Sequence, residues 1–111
     1  MANSFKRKKE HQIGTSFTTV GSYTVPASTE VTVIGMTLAN ITSSPILADV
    51  SLWDGGAQLA SLVKEAPIPS GGSLVVVGGD QKLVMEAGDA MRVKSDTASS
   101  IDVIMSILEI T

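Results

Sequence analysis

The sequence predicts an all-β fold: a single antiparallel β-sandwich, jelly-roll-like, with about eight strands and a basic N-terminal arm. Three observations support this. Apolar and polar residues alternate with a period of two in many short segments. Clusters of Gly, Pro, Asp and Ser separate these segments at short intervals. No segment has the apolar spacing of an α-helix.

The chain has the length and composition of one globular domain. Its 111 residues are 43% hydrophobic and 17% charged. Phe, Tyr and Trp are scarce, so an aliphatic core is predicted. The absence of Cys excludes a disulfide framework and a thiolate metal site. No apolar run reaches the roughly 18 residues of a membrane span, and none follows the first basic residues as in a secretory signal. We therefore expect assembly in the cytoplasm, without membrane contact.

Residues 1–14 are predicted to form a flexible basic arm, separate from a sandwich domain of residues 15–111. The first ten residues hold four cations and one carboxylate, whereas the rest holds four cations and ten carboxylates. The arm is therefore predicted to bind an acidic surface of a partner protein, although a solubilising leader is an open alternative. The residues assigned to the partner contact are Phe5, Lys6, Arg7, Lys8 and Lys9. Nucleic acid is a poor match, because no aromatic residues interleave with the cations.

Two long β segments are predicted early in the domain. Residues 16–25 (SFTTVGSYTV) are rich in β-branched and aromatic residues and are interrupted by Gly21, which predicts one bent strand or two short ones. Residues 30–40 (EVTVIGMTLAN) are the best long strand. Their apolar parity switches beside Gly35, so a β-bulge is expected there.

The next strand, residues 46–54 (ILADVSLWD), places Trp53 on the face opposite to its apolar residues. Trp53 is interpreted as a contact residue for a partner chain or a sugar, or as a cover for the rim of the sandwich. A tight hairpin is predicted at Asp54, Gly55 and Gly56. Further short strands are predicted at residues 59–65, 74–77 and 82–85.

The sharpest turn lies in residues 86–94 (EAGDAMRVK). Gly88 adopts φ > 0 without steric cost, and Asp89 is suited to bond the backbone of the turn. The residues after this corner alternate apolar and charged, as in a strand with one buried face.

Residues 101–110 (IDVIMSILEI) form a final strand that is apolar on both faces. One face is predicted to enter the core. The other is predicted to bind a second subunit, because a single sandwich layer leaves one face to solvent. A central strand in a two-sided core is the alternative. The residues assigned to the oligomer interface are Trp53, Ile104, Leu108 and Ile110.

No catalytic, metal or cofactor motif is present in the sequence, which predicts a non-enzymatic protein. His11 is the single histidine and is interpreted as a solvated residue beside the charged run. The segment GGDQK is not a phosphate loop, because no helix follows it. The residues interpreted as turn formers rather than cation ligands are Asp54, Asp80, Asp89 and Asp96.

Three pieces of the chain together resemble small β-sandwich virion structural proteins of tailed bacteriophages. They are residues 23–26 (YTVP), the run 62–77 with its APIP and GGSLVV, and residues 82–89 followed by the SILEI ending. The resemblance covers about residues 15–111 and carries over no binding residue. It implies a jelly-roll module repeated on a virion, often as a homotrimer, whose arm lies across a neighbour such as the major capsid protein.

The leading functional prediction is a capsid cement or decoration protein that stabilises contacts between capsid subunits, since each small contact is multiplied by copy number. A tail, neck or fibre component built on the same module is one alternative. A carbohydrate-binding module with Trp53 as stacking platform is another.

Overall fold

The computed structural model describes residues 3–111 and contains, within that range, nine β-strands and one 3₁₀ turn. The strands are β1 (Asn3–Ile13), β2 (Thr18–Thr19), β3 (Glu30–Asn40), β4 (Ile46–Asp54), β5 (Ala57–Ile68), β6 (Ser73–Val77), β7 (Leu83–Met85), β8 (Asp89–Ser95) and β9 (Ile101–Ile110). The 3₁₀ turn is Val20–Ser22. Every strand pair is antiparallel. The predicted all-β fold is confirmed.

The strands form two sheets. Sheet A has the order β1-β9-β3-β6, and β7 also pairs with β3. Sheet B has the order β2-β8-β4-β5. When β6 and β7 are counted as one interrupted strand beside β3, the eight resulting strands follow the order of a jelly roll. Edge strands β2, β6 and β7 are short, and the longer edge strand β5 contains Pro67, which limits pairing with other chains at these edges.

An aliphatic core lies between the sheets, as predicted. Because strand side chains alternate, each strand contributes every second residue. The buried apolar residues of the two central strands of sheet A are Val31, Val33, Met36, Leu38, Ile101, Val103, Met105 and Ile107. Burying each such side chain stabilises the fold by roughly 1.5–3 kcal/mol relative to exposure.

The predicted bulge at Gly35 is confirmed. The ladder between β3 and β9 shifts register between Val33 and Gly35, so Ile34 is the extra residue. Inward-facing residues therefore have odd numbers up to Val33 and even numbers from Met36. The bulge lets one long strand keep its apolar residues on the core side despite the parity switch.

The segment around Gly21 departs from the predicted strand. Only Thr18–Thr19 pairs as a strand, and the chain then turns through Val20–Ser22. Gly21 has φ 61, a left-handed conformation that ends the strand and suits glycine. The turn carries Tyr23 towards the open edge of the sandwich, where its ring is buried.

The prediction of a flexible arm is wrong for the described part of residues 1–14, while Met1 and Ala2 lie outside the described residues. Residues 3–13 form β1, the edge strand of sheet A. The ladder pairs Asn3 with Ile110 and continues to Ile13 opposite Ile101. The physical reason is that β9 offers a row of backbone partners, and ladder hydrogen bonds do not require an apolar sequence.

Candidate functional site

The outer face of sheet A carries four of the seven large hydrophobic side chains that are exposed between residues 3 and 111. These four are Phe5, Val75, Val84 and Ile104. Phe5 is 78% exposed and Ile104 is 56% exposed. The fold leaves this face uncovered because the core uses only the opposite face of each strand.

Strand register aligns these side chains in two rows that cross the sheet. The first row is Phe5, Leu108, Thr32 and Val84. The second row is Lys9, Ile104, Thr37 and Val75. Neighbouring strands lie about 4.8 Å apart, so the members of each row are close neighbours. The first row is apolar apart from Thr32, and the second row is apolar apart from Lys9 and Thr37. Of the predicted interface residues, Ile104 and Leu108 lie in these rows and Ile110 lies half-buried at the end of the same face.

Charged and small residues accompany the two rows on this face. Arg7 pairs with Ser106, and Ser106 pairs with Gly35, so these three residues lie between the rows. Lys9 begins the second row at the β1 edge, and Glu30 lies at one end of the face, opposite Ile110. Apolar side chains mixed with Arg and other polar residues are the composition of many protein interfaces.

Two of the five residues predicted to bind a partner, Lys6 and Lys8, lie on the inner side of β1. Lys6 Nζ lies 2.9 Å from Oε1 of Glu109. Lys8 Nζ lies 4.5 Å above the centre of the Tyr23 ring, a cation–π contact. Thus Lys6 and Lys8 stabilise the fold, and only Phe5, Arg7 and Lys9 point outward.

Glu109, on the inner side of β9, is the buried carboxylate that Lys6 contacts. Tyr23 Oη donates a hydrogen bond of 2.5 Å to its Oε2. This bond, and next the Lys6 contact, hold the pKa of Glu109 below its usual range against the opposing effect of burial. The pKa of Tyr23 is raised, chiefly by burial and then by the carboxylate that it contacts. Sequence reasoning missed this network, although a single Glu on the apolar parity of β9 was a signal for it.

Trp53 does not join the other predicted interface residues, because β4 belongs to sheet B. The Arg92 guanidinium lies 4.4 Å above the centre of the indole ring. The Phe17 ring meets it edge-on at 5.3 Å, and Lys94 Nζ lies 4.8 Å above Phe17. Trp53 therefore covers the outside of sheet B, and a face that a sugar would stack on is taken by Arg92. Alternation along β4 correctly placed Trp53 outward but could not say on which sheet.

The other polar residues singled out from the sequence form structural contacts. His11 Nδ1 lies 2.6 Å from Asp102 Oδ1, so the histidine is exposed but paired. Asp89 accepts the backbone N–H of Glu86, three residues earlier, which agrees with a turn-forming role. Asp96 accepts the backbone N–H of Leu47, which joins two distant segments of the chain. The bond from Leu47 lowers the pKa of Asp96. Between residues 3 and 111 no group of three or more His, Asp or Glu side chains is arranged to hold a metal ion.

Within the described part of the chain, no helix has the length and apolarity needed to cross a membrane.

Comparison with known proteins gives a likeness of fold. No protein-family model and no curated protein matches this chain. A solved structure of Bacillus endospore appendages, described as a novel family of disulfide-linked pili, matches with a TM-score of 0.59 at 11% identity, over 99% of this chain and 87% of that one. The VP2 subviral particle of infectious bursal disease virus matches with a TM-score of 0.48 at 11% identity, over 96% of this chain and 32% of that one. This chain thus spans about a third of the viral chain, and at such identity the likeness to the pilus structure shows the fold alone.

Proposed function

We propose that this chain is a non-enzymatic structural protein that assembles with copies of itself through the outer face of sheet A. The observation that carries the proposal is the pair of apolar rows containing Phe5, Ile104, Val75 and Val84 on one uncovered face. Each Å² of this apolar surface removed from water contributes about 25 cal/mol. Exposed apolar side chains gathered on one face beside polar residues mark an interaction surface.

A second copy of the chain is the occupant that the charges favour. Arg7 and Lys9 lie along the β1 border of the face, and Glu30 lies at one end of it. In a ring of threefold symmetry each contact joins two different parts of the neighbouring copies. The cations on the β1 border of one copy would then lie beside the Glu30 end of the next copy. We propose a homotrimer as the assembled form.

The place proposed for this oligomer is the surface of a bacteriophage virion, as a capsid cement protein. The sequence resemblance described above supports it, and so does the jelly-roll order of the strands. Of the predicted partner site, Phe5, Arg7 and Lys9 point outward. They belong to the face proposed for self-assembly, so no separate contact with the major capsid protein is assigned to them. Each trimer would add buried area where capsid subunits meet, and copy number would multiply the effect.

A second candidate is a filament subunit, such as a tail, neck or fibre component. The observation that favours it is the fold shared with the endospore pilus structure over 99% of this chain. Disulfide linkage is excluded here because the chain contains no Cys, so a filament would depend on non-covalent contacts. Electron microscopy of the concentrated protein distinguishes the cement protein from the filament subunit. Discrete trimers support the cement assignment, and filaments support the second candidate.

The test of self-assembly compares Ile104→Asp with Leu59→Asp. The two native side chains are equally exposed, at 56% and 54%, but Leu59 lies on β5 of sheet B. Sedimentation velocity should give a trimer for the wild type and for Leu59→Asp. Ile104→Asp should give a monomer whose circular dichroism is unchanged, because its side chain is outside the core. A monomeric wild type, or an Ile104→Asp oligomer of native mass, would refute the proposal.

A further inference from the structure

Most of β1 is attached to the fold by polar contacts. Of its eleven residues, only Ile13 is buried. Among the others, Lys6, Lys8 and Glu10 face inward, and the Glu10 carboxylate accepts a bond of 2.9 Å from Gly21 N. The contacts of these three residues are ionic, cation–π or hydrogen-bonded, in contrast to the apolar interior of the central strands. A segment with so little buried apolar surface opens at a lower free-energy cost than the whole domain.

A hinge lies at the end of this polar segment. Gln12 has φ 57, a left-handed conformation that is unfavourable for a residue with a side chain. The ladder also shifts register between Glu10 and Ile13. Asp102 Oδ1 clamps this point, since it accepts a bond of 3.0 Å from Gln12 N and contacts His11.

The chain beyond the hinge is firmly anchored. Ile13 is 2% exposed, and its carbonyl accepts a bond of 2.9 Å from Ser100 N. The carbonyl of Gly14 accepts a bond of 2.8 Å from Ser95 N. Residues 3–10 can therefore swing about Gln12 while the core remains intact.

Opening of residues 3–10 would uncover the edge of β9 from Val103 to Ile110. An unpaired strand edge of this length is a template for another strand. The segment that fits it best is the same segment of a second copy, because that copy restores Phe5 opposite Leu108 and Lys6 beside Glu109. Eight extended residues span about 27 Å, which matches the uncovered edge.

We propose that β1 exchanges between copies, so that residues 3–10 of one copy pair with β9 of a second copy in the native register. The exchanged strand joins neighbouring subunits through the hinge at Gln12. Strand exchange of this kind needs no new interface, since every contact already exists within one chain. The inference goes beyond assembly through the outer face of sheet A and stands independently of it.

The test uses the natural absence of Cys. Arg7 and Ser106 are direct partners across β1 and β9, and both are exposed. The variants Arg7→Cys and Ser106→Cys are prepared separately, one of them labelled with ¹⁵N, then mixed and oxidised. A cross-linked peptide that joins position 7 to position 106 across the two isotopes forms when β1 of one copy lies beside β9 of another.

The matched control pairs Gly35→Cys with Ser106→Cys. Gly35 is the partner of Ser106 on its other side, in the central strand β3, which cannot exchange. A side chain is tolerated there, because a Cβ at Gly35 would meet its nearest neighbouring atom, the carbonyl oxygen of Val77, at 3.7 Å. This control reports cross-linking that arises from stacking of two outer faces.

The expected result is a mixed-isotope 7–106 peptide in excess of the 35–106 peptide. Asp102→Ala removes the hinge clamp and should increase the rate of mixed 7–106 cross-linking by about tenfold, equivalent to about 1.4 kcal/mol. The same cross-link should persist in the Ile104→Asp background, which separates exchange from face-to-face assembly. Absence of the mixed 7–106 peptide with and without Asp102→Ala would overturn the proposal, and so would equal yields of the two peptides.

Discussion

At the scale of single residues, Glu109 shows how one charge is accommodated in an apolar strand. It occupies an inward position of β9 that Ile101, Val103, Met105 and Ile107 would predict to be apolar. Burial of a carboxylate is costly unless it is paired and hydrogen-bonded. Tyr23 and Lys6 supply both requirements: Lys6 joins β1 to β9, and Tyr23 joins the segment after the 3₁₀ turn to β9.

This network predicts an acid-sensitive stability. The pKa of Glu109 is lower in the fold than in the unfolded chain, so the native state binds fewer protons. The stabilisation is present above the ordinary Glu pKa of about 4.3 and is lost as pH falls towards the folded value. Urea unfolding at pH 7 and at pH 3.5 should show a smaller loss of stability on acidification for Glu109→Gln than for the wild type. Glu86→Gln, at an exposed position, should behave like the wild type, and identical pH profiles for all three proteins would contradict the prediction.

At the scale of elements, the corner between β7 and β8 connects three parts of the sandwich. Gly88 N donates to the carbonyl of Val25, and Val25 N donates to the carbonyl of Asp89, both at 2.9 Å. The Asp89 carboxylate accepts a bond from Glu86 N within the turn. Gly88 has φ 91, so this corner forms only with a residue that tolerates a left-handed backbone.

Gly88→Ala should therefore destabilise the domain. The left-handed backbone alone costs about 1–2 kcal/mol for a residue with a Cβ. The added atom would also lie 3.0 Å from Asp54 Oδ1. Gly56→Ala is the matched control, because no neighbouring atom lies within 4 Å of its Cβ position and its φ is not positive. Urea unfolding should show a loss for Gly88→Ala and an unchanged or slightly higher stability for Gly56→Ala; equal stabilities would be evidence against a strained corner.

At the scale of the whole molecule, the two outer faces of the sandwich differ in chemistry. On sheet B, Arg92 lies over Trp53 and Lys94 lies over Phe17, so each aromatic ring already has a cation. On sheet A, Phe5 and Ile104 remain largely exposed among residues 3–111. This difference is the basis of the proposal that assembly uses sheet A.

The variant Trp53→Ala tests whether Trp53 contributes to the stability of the domain or to its assembly. The variant should lose about 1–3 kcal/mol of stability, since it removes a half-buried ring and its contacts with Phe17 and Arg92. Its oligomeric mass should remain that of the wild type, because Trp53 lies on sheet B. Thermal unfolding and sedimentation of one sample measure both properties. A monomeric Trp53→Ala protein of native stability would reverse this assignment and restore Trp53 to the interface.

The alternation of residues by itself determined much of the fold and part of the candidate site. It gave the all-β class, the bulge at Gly35, the corner at Gly88 and the outward direction of Ile104 and Leu108. These features are predictable because side-chain direction in a strand depends only on local parity, and a parity switch or a left-handed turn leaves its mark in adjacent residues.

Only the tertiary structure decided the pairing of β1 with β9, the placement of Trp53 on sheet B, and the use of Lys6 and Lys8 inside the fold. Backbone pairing joins N–H and C=O groups that every residue except proline carries, so a basic segment without apolar periodicity can complete a sheet. Which strands share a sheet depends on contacts between segments far apart in the chain. Parity along one strand fixes its two faces, and only the packing of all strands determines what each face meets.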